Sequence, residues 1–294
     1  MNNMPDKFDN EQEAKHYNPW KKVIKLFEIY EKKCLFDDNN EYVLKEDRDR
    51  IIKFNEDIKK HDDRIILQTP PEPWRGNPLE ANLIILSLNP GYDANINKTM
   101  AKLLQADNAI REGVVSFRKD TLNLDAHSFL PKDIPTRTIS IKEAEDMLGG
   151  WYWTKRFNTI RKDFIDKTKL DENEFYKRVA VLQFFGYSSS TCEKGFPYYK
   201  THEELPSQEF NRRLIEYLVT HKSDKVRFLI LRAKKQWVEF LGDVYDKNQF
   251  MFLEKTNKGR SQSITRENLI EKDQNGHIKR DVYEDVLKAL LGEP

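Results

Sequence analysis

Leu83-Ile84-Ile85-Leu86-Ser87-Leu88-Asn89-Pro90-Gly91-Tyr92-Asp93 opens as an almost unbroken apolar run and ends in a polar corner. The run is too short for a globular helix, and its continuity fits a strand covered by helices on both faces. Residues 179–185, 226–231 and 250–253 repeat the pattern. Between the runs, apolar periodicity predicts helices over 99–115, 141–148, 152–167, 207–218 and 234–241, with a last one over 280–291. Alternating strands and helices imply right-handed crossovers and a parallel sheet. The expected fold is therefore α/β: a three-layer α/β/α arrangement around a short, mostly parallel four-stranded sheet. Helical patterns over 20–33 and 45–60 precede it, and Thr69-Pro70-Pro71-Glu72-Pro73 reads as an extended connector. Residues 1–75 are expected to form a helical extension packed on a core domain of 76–294. The stretch 120–138 has no clear period and reads as a functional loop or a surface excursion.

Bulk composition narrows the function classes. A chain of 294 residues buries roughly 75% of its unfolded surface, so it needs neither disulfides nor a metal for stability. Its two cysteines, Cys34 and Cys192, lie far apart with no Cys-x-x-Cys spacing, which points to a reducing, cytoplasmic setting. No run approaches the roughly 18 apolar residues of a membrane span, so membrane roles drop out. The 50 basic and 49 acidic residues nearly cancel, leaving no global field to attract polyanions. Nucleic-acid affinity then has to come from local clusters, such as Lys155-Arg156, Arg232 with Lys234-Lys235, or Lys255, Lys258 and Arg260. Such clusters are more often plain solvated faces.

In open α/β sheets ligands bind beyond the C-terminal ends of the strands. All four ends here are polar: Asn89-Pro90-Gly91-Tyr92-Asp93, Gly186-Tyr187-Ser188-Ser189-Ser190, Arg232-Ala233-Lys234-Lys235, and the stretch from Lys255 to Ser263. Strand ends need turn residues in any protein, so glycine and serine alone prove nothing. Asn89-Pro90-Gly91 is more particular. Proline stiffens the turn, glycine permits close backbone approach, and asparagine offers both donors and an acceptor.

A strand followed by Ser87-Leu88-Asn89-Pro90-Gly91-Tyr92 and a helix resembles the first active-site motif of the uracil-DNA glycosylase-like superfamily, whose mismatch-specific members carry Asn-Pro-Gly there. Weaker likeness runs through Phe129-Leu130-Pro131, Gly149-Gly150-Trp151-Tyr152-Trp153, Phe184-Phe185-Gly186-Tyr187-Ser188, Leu205-Pro206-Ser207-Gln208 and Leu231-Arg232-Ala233-Lys234-Lys235-Gln236-Trp237, covering about 82–269. The resemblance implies hydrolysis of the N-glycosidic bond of a flipped-out nucleotide, with Asn89 and Asp93 as catalytic residues and Asn89 positioning the attacking water. It also implies DNA as partner, no cofactor, and a monomer. Flipping costs a few kcal/mol, which stacking and edge contacts offset. Tyr92, Phe185 and Tyr187 are the expected stackers, and Gln183 and Ser188 the polar groups nearest the base. Strict uracil enzymes of the superfamily place a bulky aromatic where this chain has Gly91, so the resemblance implies room for a 5-substituted pyrimidine.

The fourth strand end departs from the better-known members, which carry a histidine-proline-serine motif there. This chain has Asn257-Lys258-Gly259-Arg260-Ser261-Gln262-Ser263, and Asn257, Lys258, Arg260, Ser261, Gln262 and Ser263 join Arg232 and Lys234 as expected DNA contacts. Loss of the histidine weakens leaving-group stabilisation and leaves open a non-catalytic nucleic-acid-binding protein, or a small-molecule hydrolase, on the same scaffold. Two cysteines cannot ligate an iron-sulfur cluster. The six histidines show no His-x-His pattern, so no metal is expected. Ser188 to Ser190 lies outside a Gly-x-Ser-x-Gly elbow, which disfavours a serine hydrolase. Trp151 and Trp153 read as core or helix-start packing rather than base stackers.

Overall fold

The computed structural model describes residues 4–30, 40–58, 64–126, 150–190, 204–230, 233–246, 248–252, 263–273, 275 and 277–293. The expected apolar runs form β2 (Leu83–Ser87), β3 (Val179–Gln183), β4 (Arg227–Ile230) and β5 (Phe250–Phe252), and the connector leads into a short extra strand, β1 (Trp74–Arg75). The chain is an α/β protein. Among the described residues its main sheet has five strands rather than four, in the order β1-β3-β2-β4-β5. β2 pairs in parallel with β3 on one side, Leu83 opposite Val179 and Ser87 opposite Gln183, and with β4 on the other, Leu83 opposite Arg227. β4 pairs in parallel with β5, whereas β1 runs antiparallel to β3. Two residues bounded by Pro73 and Gly76 escaped a search for apolar runs.

Alternate strand residues divide two cores, as the period of two in a strand requires. Ile84, Leu86, Ala180, Leu182, Phe228, Ile230 and Phe250 face one core, and Leu83, Ile85, Val179, Val181, Leu229 and Met251 the other. The first core is covered by α2 (Lys21–Tyr30), α3 (Lys45–Asp57), α4 (Ala94–Ala106), α5 (Asn108–Leu122), α8 (Pro206–His221) and α9 (Lys234–Leu241). The second is covered by α6 (Gly150–Thr168), α7 (Glu172–Lys177) and α10 (Val282–Leu291). α1 (Glu11–Tyr17) contributes Ala14 to the first core.

The single helix expected over 99–115 is two, because the Asp107 carboxylate accepts the backbone N–H groups of Ala109 and Ile110 and starts a new helix there. Such a cap stabilises by about 1 kcal/mol, enough to punctuate a continuous apolar period that does not reveal it. The helix expected from 280 begins at Val282, because Arg280 and Asp281 end β7 (Ile278–Asp281), which pairs antiparallel with β6 (Ile270–Lys272). Helix 141–148 lies outside the described residues, as does most of the 120–138 stretch.

The first 75 residues share their apolar core with the sheet. Trp20, Phe27, Tyr42, Ile51 and Trp74 are buried with Ile84, Leu182 and Phe228. A charged cluster reinforces the contact: Glu72 takes a bidentate pair from Arg75 at 2.8 and 2.7 Å and a further bond from Arg118 of α5 at 2.7 Å. Burial pushes the Glu72 carboxyl up, but the two guanidinium groups outweigh it and hold the group below the usual carboxylate range. Among the described residues no helix is long and apolar enough to cross a membrane.

Candidate functional site

The chain leaves β2 to build β3 on one flank and later returns past β2 to build β4 on the other, so β2 is where the strand order reverses. A crevice beyond the C-terminal ends of the strands forms at such a point. There the two loops after β2 and β3 stay paired past the end of the regular sheet. Phe184 and Phe185 donate their N–H groups to the carbonyls of Ser87 and Leu88 at 3.0 and 2.9 Å. Further out, Tyr92 N–H donates to Ser189 O at 3.0 Å, and Gly91 and Ser189 form an isolated parallel bridge. Asn89, Gly91, Tyr92, Ser188 and Ser189 are thereby gathered at one place.

Asn89 is half-buried, and its Nδ2 donates twice, to Pro90 O at 2.9 Å and to Ser189 Oγ at 3.0 Å. Gly91 is exposed, and a Cβ built there meets nothing within 4 Å. Tyr92 is half-buried. Asp93 is exposed and turns back on its own chain: its carboxylate accepts the Asn95 N–H at 2.8 Å and its carbonyl the Asn97 N–H at 3.0 Å, starting α4. Asn97 ties that helix to the connector by donating to Thr69 Oγ1 at 3.1 Å.

The loop after β3 corrects two expectations. Phe185 is 1% exposed and packs at 4.9 Å, edge-on, against Phe184. Tyr187 is fully buried beneath Trp20, with ring centroids 5.3 Å apart. Its hydroxyl donates to Asp47 at 2.7 Å and accepts the Leu44 N–H at 3.2 Å. Neither ring has a face to offer a base, and at Tyr187 it is the N-terminal helices that occupy the space that the sequence pattern left open. Of the three expected stackers, only Tyr92 keeps exposed surface. Burial raises the Asp47 carboxyl above its ordinary range against the bonds from Ser207 and Tyr187, which lower it, and burial beside Asp47 raises the Tyr187 phenol well above its own.

Ser188 is buried, and its carbonyl accepts the Ile66 N–H at 2.8 Å. Gln183 is 3% exposed. Its backbone carbonyl takes the Asn211 amide at 3.1 Å, but its side-chain oxygen is buried with no partner. An unmet buried acceptor costs about 1–3 kcal/mol. Ser189, missed in favour of its neighbour Ser188, is the residue that touches Asn89. No strand alternation marks it out in advance, because the chain bends after β3 and Phe184, Phe185 and Tyr187 all turn to the first core.

Lys234 stands at the end of β4 with its ammonium 3.0 Å from the centroid of the Phe252 ring at the end of β5. Ser263 is half-buried and accepts the Asn268 amide at 2.7 Å through its carbonyl. Arg232, Asn257, Lys258, Arg260, Ser261 and Gln262 lie outside the described residues, as do Cys34 and Cys192. Trp153 is buried and stacks on Phe157, the packing role expected of it. Among the described residues there is no group of three or more His, Cys, Asp or Glu side chains placed to hold a metal ion. Comparison with known protein families, with curated proteins and with solved structures finds no match for the chain.

Proposed function

We propose that the protein is a DNA glycosylase-like hydrolase that removes a modified, 5-substituted pyrimidine from DNA by cleaving its N-glycosidic bond. The observation that carries this reading is the pairing of the Asn89-Pro90-Gly91-Tyr92 corner with Ser189 at the reversal point of the sheet. Water adds at the anomeric carbon, the bond to the base breaks, and the base leaves with the electron pair and is protonated. A carboxamide is no base, so Asn89 works by orienting the water while the surrounding dipoles favour the oxocarbenium-like sugar.

Three further features support the reading. The open space at Gly91 accommodates a substituent on C5. The unpartnered oxygen of Gln183 suits an N–H of the base, and Tyr92 is left as the stacking surface. The same reading takes the fold as a three-layer α/β/α core of 76–294 with an N-terminal helical extension of 1–75. It makes DNA the partner of a cytoplasmic monomer that needs no metal, gripped in part by Lys234 and residues 257–263. Repair of damaged bases and defence against foreign DNA carrying modified cytosines both call for this chemistry.

The test is abasic-site formation by the purified protein on DNA carrying uracil, mismatched thymine or several 5-modified cytosines, with Asn89→Ala as control. Release of a modified base, lost in Asn89→Ala, is the expected result. Efficient release of uracil with every modified base ignored overturns the substrate class. Salt-sensitive binding without release from any DNA overturns catalysis and leaves a binding module.

A further inference from the structure

A carboxamide carries two amide hydrogens and one acceptor oxygen. Both hydrogens of Asn89 are committed, one to Pro90 O and one to Ser189 Oγ. The Pro90 carbonyl decides which end of the amide faces it, since a flipped Asn89 would set two acceptor oxygens against each other. It does not fix the amide plane, because rotation about the terminal torsion of asparagine is soft. The second bond, to Ser189, fixes that plane. Among the described residues nothing donates to Asn89 Oδ1, so the oxygen is kept for a ligand or a water.

Ser189 is itself firmly placed. It is 2% exposed, its carbonyl accepts the Tyr92 N–H at 3.0 Å, and its N–H donates to Pro90 O at 3.4 Å. The same short bridge that joins the two loops therefore holds the hydroxyl against Asn89. We propose that Ser189 is the positioning residue of this site: by taking one amide hydrogen of Asn89 it sets the carboxamide plane and aims Oδ1 at the attacking water. The inference rests on the glycosylase reading, and it assigns a role in turnover rather than in binding.

Two measurements test it. With the substrate identified by base release, Ser189→Ala is expected to lower kcat by roughly 100-fold, the scale of a misoriented reactant, with KM within about twofold of the wild type. Ser189→Cys, close in size but with a weak sulfur acceptor, is expected to fall between the two. Independently of activity, protein labelled with 15N-asparagine reports the Asn89 side-chain NH2 pair, assigned by its absence from Asn89→Ala. In Ser189→Ala one of the two proton resonances is expected to shift and exchange faster with water. Unchanged Asn89 resonances in Ser189→Ala overturn the clamp, and wild-type kcat in that variant overturns its role in turnover. Absence of base release by the wild-type protein from every DNA is a different failure: it overturns the glycosylase reading and the turnover role with it, while the resonances still decide the clamp.

Discussion

The loops that follow β2 and β3 lie side by side and are built in opposite ways. From Leu88 to Asp93 the first is half-buried or exposed, and Gly91 has open space around it. Residues 184–189 of the second are all buried, and the loop is held from several directions. The carbonyls of Gln183 and Phe184 are capped by Asn211 and Gln208 of α8, and those of Gly186 and Ser188 by the N–H groups of Glu72 and Ile66. Tyr187 is anchored to Asp47 of α3. One loop presents its polar groups outward and the other supplies the fixed frame against which it is registered, and a preorganised site needs both. The N-terminal segment belongs to that frame, since Trp20, Asp47, Ile66 and Glu72 all bear on the second loop.

The contrast breaks most visibly at Glu72. Glu72→Gln removes the negative charge that the Arg75 and Arg118 guanidinium groups share, and unfolding in urea is expected to show a loss of about 3–5 kcal/mol. Gly186→Ala comes next. A Cβ there sits 2.5 Å from the buried Trp20 ring and 3.1 Å from Pro73, so something must shift, at about 1–3 kcal/mol. Asp47 sharpens the comparison through pH. Its carboxyl is raised in the folded state, so its favourable contribution is complete below the unfolded pKa and is lost as pH rises through the folded value. The stability of the wild type relative to Asp47→Asn is therefore expected to fall as pH rises from the ordinary carboxylate range and to level off once the folded carboxyl has ionised. A difference that rose with pH would reverse the assignment. The smallest effect belongs to the first loop: Gly91→Ala is expected to change stability by no more than about 0.5 kcal/mol. A loss as large as that of Gly186→Ala would erase the distinction between the two loops.

The central strands were legible because burial on both faces writes itself as unbroken apolar runs, and α9 was readable to the residue from Lys234 to Leu241. What the pattern could not carry was pairing between distant residues. β1 has only two residues to announce it, and Asp107 splits a helix through side-chain capping that leaves the apolar period intact. At the site, Asn89, Gly91 and Tyr92 could be singled out from their order along the chain. Phe185 and Tyr187 misled because an aromatic beside a strand end reads the same whether it faces a ligand or a helix from another part of the chain. Trp20 and Asp47, which settle the matter for Tyr187, lie at least 140 positions away.

That distance also has a kinetic side. The bonds that shape the second loop join Tyr187 to Asp47 across 140 positions and Ser207 to Asp47 across 160. A chain growing from its N-terminus can lay down α3 early, but Asp47 does not have both of its partners until Tyr187 and the start of α8 have emerged. Closing such long loops before any reward is received slows folding. The second loop is thus expected to take its final shape late, and Trp20 has to be kept from competing partners until Tyr187 arrives.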